Sequence, residues 1–422
     1  MKMPSSTNTG GPGLYARSER EAIVATLETT RVVFLLGARQ VGKSTLARQI
    51  ATGDRSATIV DLDDPAPRNA ALDDPVGFIA GLERPAFIDE IQRGGPDLVL
   101  AIKSVVDRDM SPGQFLLTGS ANLLRSPRVL DALTGRAAIV TLWPLAQSEI
   151  EGSVSNFVDA LFAAKPPRIA GATVGRDALR DRIASGGYPE ARLRSGRPRS
   201  QWFESYLRMT IERDLESIAD AYKLHEIPRL LRLLATQAAA LCVPASIGGK
   251  IGLDHRTVER YVGLLEATFL VKRIPAWRPG LGQREVRHSK AYLVDSALLL
   301  HLLGANEARL LGDDRVTGMA LENFIAMEVA KHAEWASAEA RLFHYRRERE
   351  EIDLLLENRA GEVVAIEVKS KASLSARDWR SLAKLRDAMG DEFRCGCVIH
   401  PGADTVPLGD RLFALPLCAL WS

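Results

Sequence analysis

From Arg31 to Leu145 the chain alternates short apolar runs with stretches whose apolar residues recur every three or four positions. The runs Val32-Val33-Phe34-Leu35-Leu36, Ala86-Phe87-Ile88 and Phe115-Leu116-Leu117 are too short for helices and read as buried strands. Continuous apolar strands between amphipathic helices predict an α/β sandwich around a parallel sheet. An irregular stretch near Ala164-Lys165-Pro166-Pro167 marks a boundary, and Gly186-Gly187-Tyr188-Pro189-Glu190 predicts a turn. Helical spacing from Trp202 to Ala221 then puts Trp202, Tyr206, Ile211 and Leu215 near one face, as in a helical lid or linker.

The next segment changes rhythm. Helical periodicity runs from Ile227 to Leu241, breaks at Pro244, resumes from Ala245 to Ile251, and after Gly252-Leu253-Asp254 continues from His255 to Phe269. Asp254 is placed to cap the last helix. This is helix-turn-helix spacing, with Val258, Tyr261, Val262, Leu265 and Phe269 inward and His255, Arg256, Glu259 and Arg260 outward. Leu270 to Ile274 would form a wing strand carrying Lys272 and Arg273, bordered by Arg278, Arg284, Arg287, His288 and Lys290. The cations predict DNA contact through His255, Arg256, Arg260, Lys272 and Arg273; a winged helix used for protein contact is the alternative.

Alternation of period two returns near the end. Glu351 to Leu356 and Val363 to Lys369 read as two strands of a hairpin joined by the turn Glu357 to Glu362. On the second strand Glu367 and Lys369 share a face. A helix from Gly318 to His332 precedes them, bearing Glu322 and Glu328.

Composition adds bounds. With 422 residues, 46% hydrophobic and 26% charged, the chain is long enough for two to four domains. No apolar run reaches the ~20 residues that span a bilayer, and Met1 to Thr7 lacks the apolar segment of a signal peptide, so a cytoplasmic location without membrane contact is expected. Cys242, Cys395, Cys397 and Cys418 form no pair of pairs, so reduced core thiols are expected. A formal net charge of +2 does not select a partner.

The sharpest chemistry follows the first apolar run. Gly37-Ala38-Arg39-Gln40-Val41-Gly42-Lys43-Ser44 has the spacing G-x-x-x-x-G-K-S between a strand and a helix (Ser44 to Ile50). Glycines let backbone N–H groups turn toward phosphates, Lys43 reaches the outer phosphates, and Ser44 is placed for Mg²⁺. The loop through Thr45 is therefore read as binding ATP. Phe87-Ile88-Asp89-Glu90-Ile91-Gln92 ends a strand in two acids, Asp89 as the Mg²⁺ partner and Glu90 to polarise the attacking water. At the tip of the third strand only one of Thr118 and Ser120 is expected to face the nucleotide, and Ser120 is favoured, with Asn122 further on.

Several of these elements resemble known families. Leu117-Thr118-Gly119-Ser120 is similar to sensor 1 of the AAA family, and Leu133-Thr134-Gly135-Arg136 to the L-x-G-R element of prokaryotic AAA-family ATPases. That resemblance makes Arg136 a candidate arginine finger, supplied in trans within a homo-oligomer. Asp353 beside Glu367 and Lys369 resembles the PD-(D/E)xK nucleases, which implies Mg²⁺ held by Asp353 and Glu367, joined by Glu322, with Lys369 activating water. Together with Gly186-Gly187-Tyr188-Pro189, the order of parts resembles a group of bacterial and archaeal AAA-family ATPases with a C-terminal domain of unknown function. Val294-Asp295-Ser296-Ala297 departs from it with Ser-Ala where the group shows Thr-Gly.

The fold class expected is α/β in several parts: a disordered terminus (1–15), a P-loop AAA-type ATPase core (16–160), a helical lid or linker (161–225), a winged helix (226–285) and a PD-(D/E)xK-like α/β domain (286–422). The function expected is Mg²⁺-dependent ATP binding and hydrolysis acting on DNA, with a metal-dependent nuclease domain. The alternative is an ATP-controlled switch or scaffold that binds a protein partner and carries a catalytically inactive nuclease-like fold.

Overall fold

A computed structural model describes residues 14–119, 127–154, 156–172, 174–212, 224–278, 288–305, 307–347 and 350–422. The expected disordered terminus, Ser120, Asn122, Leu215, Arg284 and Arg287 lie outside the described residues, apart from Leu14 and Tyr15.

The first sheet contains β1 (Val32–Gly37), β2 (Thr58–Asp61), β3 (Ala86–Asp89), β4 (Phe115–Thr118) and β5 (Ala137–Leu142) in the order β2-β3-β4-β1-β5. All neighbours are parallel. Strand β4 is inserted between β1 and β3, so the carboxyl ends of all three strands open on one edge, where ligands of open α/β sheets bind. β1, β3 and β4 are buried along their length, as continuous apolar strings covered on both faces must be. The turn at 186–190 and the lid helix Gly196–Thr210 stand over this edge.

Three helices occupy the segment read as helix-turn-helix: Ile227–Ala235, which ends short of the expected Leu241, then Pro244–Ile251 and His255–Ala267. Asp254 caps the last by accepting from Arg256 N at 3.0 Å and Thr257 N at 2.9 Å. Where a wing is expected, β6 (Val271–Ile274) and β7 (Lys290–Leu293) pair antiparallel. Its second strand thus falls beyond the expected boundary at 285.

The C-terminal sheet comprises β8 (Arg341–Arg347), β9 (Glu350–Glu357), β10 (Val363–Val368), β11 (Phe393–His400), β12 (Val406–Gly409) and β13 (Leu412–Pro416) in the order β12-β13-β11-β10-β9-β8. Its sheet is mixed: β9 and β10 form the predicted hairpin, whereas β10–β11 and β11–β13 are parallel. The long helix Asp314–Glu334 packs against it and against the first part. One continuous core runs from Leu35 and Val41 through Tyr188, Phe203, Leu231 and Val262 to Phe324 and Ile366, so the parts are not independent beads. All four cysteines are free and buried. Among the described residues no helix is long and apolar enough to cross a membrane.

Candidate nucleotide site and C-terminal acidic cluster

The loop is shaped by close packing. A Cβ at Gly37 would lie 2.2 Å from the Leu142 carbonyl oxygen of β5, and Gly42 has φ +96° just before the helix Lys43–Gln49. Lys43 is buried and donates from Nζ to the carbonyls of Gly37 (3.1 Å) and Ala38 (2.8 Å). Ser44 Oγ donates to Asp89 Oδ1 at 3.0 Å. The same oxygen accepts from Thr118 Oγ1 and, at 3.2 Å, from Glu90 N. Two hydroxyls and an N–H therefore orient Asp89 without neutralising it. Glu90 has φ +51°, a sparsely populated conformation for a side-chain-bearing residue, and its Oε2 accepts from Gln92 Nε2.

These residues open on a cavity of about 590 Å³. One wall is the loop from Arg39 to Thr45 with Glu90; the other holds Leu14, Tyr15, Pro189, Tyr206 and Thr210. Arg17, which also lines the cavity, braces the loop by donating to Val41 O at 2.9 Å, Trp143 O at 2.8 Å and Glu149 Oε1 at 2.8 Å. The turn at 186–190 is anchored from three sides. Leu145 N donates to Gly187 O at 2.8 Å, Gly187 N donates to Asp295 Oδ2 at 2.6 Å, and Tyr188 and Tyr206 share a buried hydrogen bond of 3.1 Å. Burial pushes the Asp295 carboxyl up, against the pull of the N–H groups of Gly187 and Leu298. From the long helix, Lys331 Nζ donates to Leu145 O at 2.9 Å, and Glu328 accepts from Gln147 N at 2.6 Å.

The parity argument at the third strand needs correction. Thr118 is the strand-tip hydroxyl at Asp89; residues two apart share a strand face, so Thr118 and Ser120 were never alternatives by parity. Arg136 precedes β5 at the end that pairs with Val32, about 20 Å along β1 from the loop. It grips both carboxylate oxygens of Asp107, so it does not serve the loop of its own chain.

Of the residues expected to contact DNA, His255, Arg256 and Arg260 are exposed on the helix His255–Ala267. The two wing cations are engaged elsewhere. Lys272 Nζ sits 4.7 Å over the Trp143 ring of the first part, and Arg273 pairs with Glu259 and, at 2.8 Å, with Glu266. Lys290, expected to border the wing, is buried.

Asp353, Glu367 and Lys369 do come together, on adjacent strands of the hairpin. Val368 N donates to Asp353 Oδ2 at 2.8 Å, and Lys369 Nζ meets Glu367 Oε2 at 3.0 Å. Burial and the neighbouring Asp353 push Glu367 up to about 9. Glu322 also faces this cluster, but as a partner of Lys290 Nζ at 3.0 Å; burial and Asp353 raise it to about 7, against the pull of that lysine. Burial alone would lower Lys290, but Glu322, Asp353 and Glu351 together hold it above the ordinary lysine range. Among the described residues no three His, Cys, Asp or Glu side chains are arranged to hold a metal ion.

Sequence reasoning missed Arg17, Gln92, Asp295 and Lys290. Gln92 stood within its motif, two residues from Glu90; the others reach their partners across 24 to more than 100 residues, and no local pattern marks them.

Comparison with known proteins agrees with the geometry of the first part. Residues 29–151 match the family described as AAA domain, residues 176–309 a domain of unknown function (DUF8612), and residues 317–420 another domain of unknown function (DUF4143). Uncharacterized proteins of Mycobacterium bovis and Mycobacterium tuberculosis are each 26% identical over 92% of this chain and 81% of their own length. Among solved structures, the RuvB Holliday junction branch migration motor of Thermotoga maritima is 18% identical, with a TM-score of 0.28 over 62% of this chain and 90% of that one. A STAND signal transduction ATPase with a tetratricopeptide repeat sensor from Pyrococcus horikoshii is 12% identical, with a TM-score of 0.26 over 75% and 48%. Residues 29–151, which carry the loop, Asp89 and Glu90, form an AAA-type P-loop ATPase domain, and through it the chain is a nucleotide-binding ATPase.

Proposed function

We propose that the chain is a Mg²⁺-dependent ATPase whose nucleotide state sets how its winged-helix and C-terminal parts are held, and that it acts on DNA. One observation carries the first clause: the cavity is walled on one side by the loop and on the other by Pro189, Tyr206 and Thr210, beside a turn bonded to Asp295 of the following part. Ligand in that cavity touches both.

In this reading Lys43 exchanges its carbonyl partners for the outer phosphates. Ser44 and Asp89, two hard oxygen donors already 3.0 Å apart, would hold Mg²⁺, which spreads the charge developing on the transferred phosphoryl group. Glu90, tethered by Gln92, orients the attacking water. Its left-handed backbone aims the side chain into the cavity. Arg136 is available only to a neighbouring copy, and then only by leaving Asp107.

The exposed His255, Arg256 and Arg260 at the start of the recognition helix support DNA as the polymer. The engagement of Lys272 and Arg273 favours a second reading, a switch docking a protein partner. ATP hydrolysis measured with and without duplex and single-stranded DNA separates them. Stimulation that fades with salt and is lost in Arg256→Ala/Arg260→Ala supports the DNA reading. Turnover indifferent to DNA rejects it and leaves the protein switch.

A further inference from the structure

Where the wing meets the C-terminal sheet, three carboxylates from two elements converge on one ammonium. Lys290 Nζ lies 3.0 Å from Glu322 Oε1 on the long helix, 3.0 Å from Glu351 Oε1 and 3.7 Å from Asp353 Oδ1 on β9. The lysine comes from a third element, β7, and its side chain is only 4% exposed. Tyr292, two residues on and so on the same face, brings its hydroxyl 3.4 Å from the Glu322 oxygen. The remaining acid, Glu367, is held by Lys369, and Asp353 Oδ2 by the N–H of Val368.

The spacing is that of an ammonium among carboxylates. Carboxylate oxygens bind Mg²⁺ or Ca²⁺ at about 2.0–2.6 Å, whereas charge-assisted N–H···O contacts run close to 3 Å. Nor is Lys290 a loose side chain swung in from solvent. Its backbone pairs with Ile274 of β6, and three residues on, Asn323 locks Leu293 by bonds of 2.8 and 2.9 Å to its N–H and carbonyl. Withdrawing it would leave Glu322 and Asp353 facing each other across a partly buried gap, which is costly.

We infer that Lys290 is the resident cation of this acidic site. It supplies the counter-charge of Glu322, Glu351 and Asp353, which are not arranged to hold a metal ion, and it makes the C-terminal part a metal-free module that holds the wing and does not cut nucleic acid. Charge supplied by β7 balances the acids, which act as an anchor for the winged helix.

The test is Mn²⁺ binding by the nucleotide-free full chain, followed by electron paramagnetic resonance, in wild type, Asp353→Asn, Lys290→Met and the double variant. Wild type and Asp353→Asn should bind Mn²⁺ identically up to about 1 mM. Lys290→Met and the double variant should bind no more Mn²⁺ than wild type, and Lys290→Met should melt below wild type whether or not Mn²⁺ is present. A wild-type Mn²⁺ site lost in Asp353→Asn would overturn the inference, as would Mg²⁺-dependent DNA cleavage lost in that variant. If Lys290→Met does not fold, wild type against Asp353→Asn still decides: identical binding supports the resident lysine, and a lost site rejects it.

Discussion

The two acidic constellations of this chain have similar ingredients and opposite arrangements. Around Asp89 the donors are the neutral hydroxyls of Ser44 and Thr118 and the N–H of Glu90, while the nearby Lys43 is turned toward backbone carbonyls at the edge of a cavity. Around Asp353 the lysine is central, with Lys290 within 3.7 Å of three carboxylates and a second lysine on Glu367. Neutral donors fix a carboxylate's direction and leave its charge for a cation; an ammonium consumes that charge. Motif spacing therefore fixes where acids stand, and the counter-charge decides whether they do chemistry.

Replacing each lysine by methionine tests this contrast most severely. Lys43→Met should abolish measurable ATP binding and lower turnover at least about a hundredfold, a loss of roughly 3 kcal/mol or more of transition-state stabilisation, with little change in melting temperature. Lys290→Met should do the reverse, costing about 3 kcal/mol of stability while turnover stays within roughly threefold. Titration of a fluorescent nucleotide and thermal melts on the two variants read both quantities. A Lys290 variant that melts like wild type would remove the anchoring role. Within the nucleotide site, Glu90→Gln should retain binding and lose about two orders of magnitude in turnover. Equal turnover there would leave Glu90 without a role.

Next in size is the turn that joins the two regions. A Cβ on Gly187 would lie 2.3 Å from the Leu145 carbonyl oxygen, a backbone atom that cannot rotate away. Gly187→Ala should cost about 2 kcal/mol and weaken ATP by several-fold, because Leu145 and Pro189 line the cavity. Unchanged nucleotide affinity in a correctly folded Gly187→Ala protein would separate the turn from the site.

How much of this was legible in the sequence follows from the reach of each contact. The loop, Asp89 and Glu90 could be read because their chemistry is local to a strand end and the helix or turn that follows. The hairpin carrying Asp353, Glu367 and Lys369 could be read because period two fixes faces. What could not be read was which side chain meets them. Lys290 stood in a basic string and looked like a wing cation, yet it is buried against Glu322, 32 residues on. Lys272 and Arg273 looked free for DNA because the ring of Trp143 and the carboxylate of Glu266 are brought to them only by packing. Gly186-Gly187-Tyr188-Pro189 was legible as a turn but not as part of the cavity, since Leu145 and Asp295 lie 42 and 108 residues away.

The smallest effect probes an acid beneath the loop that lacks a dedicated lysine. Glu19 is buried, and its counter-charge, Arg17 at 3.7 Å, spends its N–H groups on Glu149, Val41 and Trp143. Burial, with Glu149 adding to it and Arg17 opposing, pushes the Glu19 carboxyl up to about 8. The folded state then keeps a proton that the unfolded chain gives up near the ordinary value of 4.5. Stability from this group is thus complete below that ordinary value and is lost as pH rises toward about 8. Glu19→Gln, which keeps the shape and cannot ionise, should melt like wild type near pH 5 and a few degrees higher at pH 8 to 9, a gain on the order of 1 kcal/mol. Measuring the difference between variant and wild type cancels the contributions of Glu322 and Glu367, which titrate in the same range. A difference curve flat from pH 5 to 9 would mean that Arg17 keeps Glu19 ionised across that range, and would remove this pH dependence.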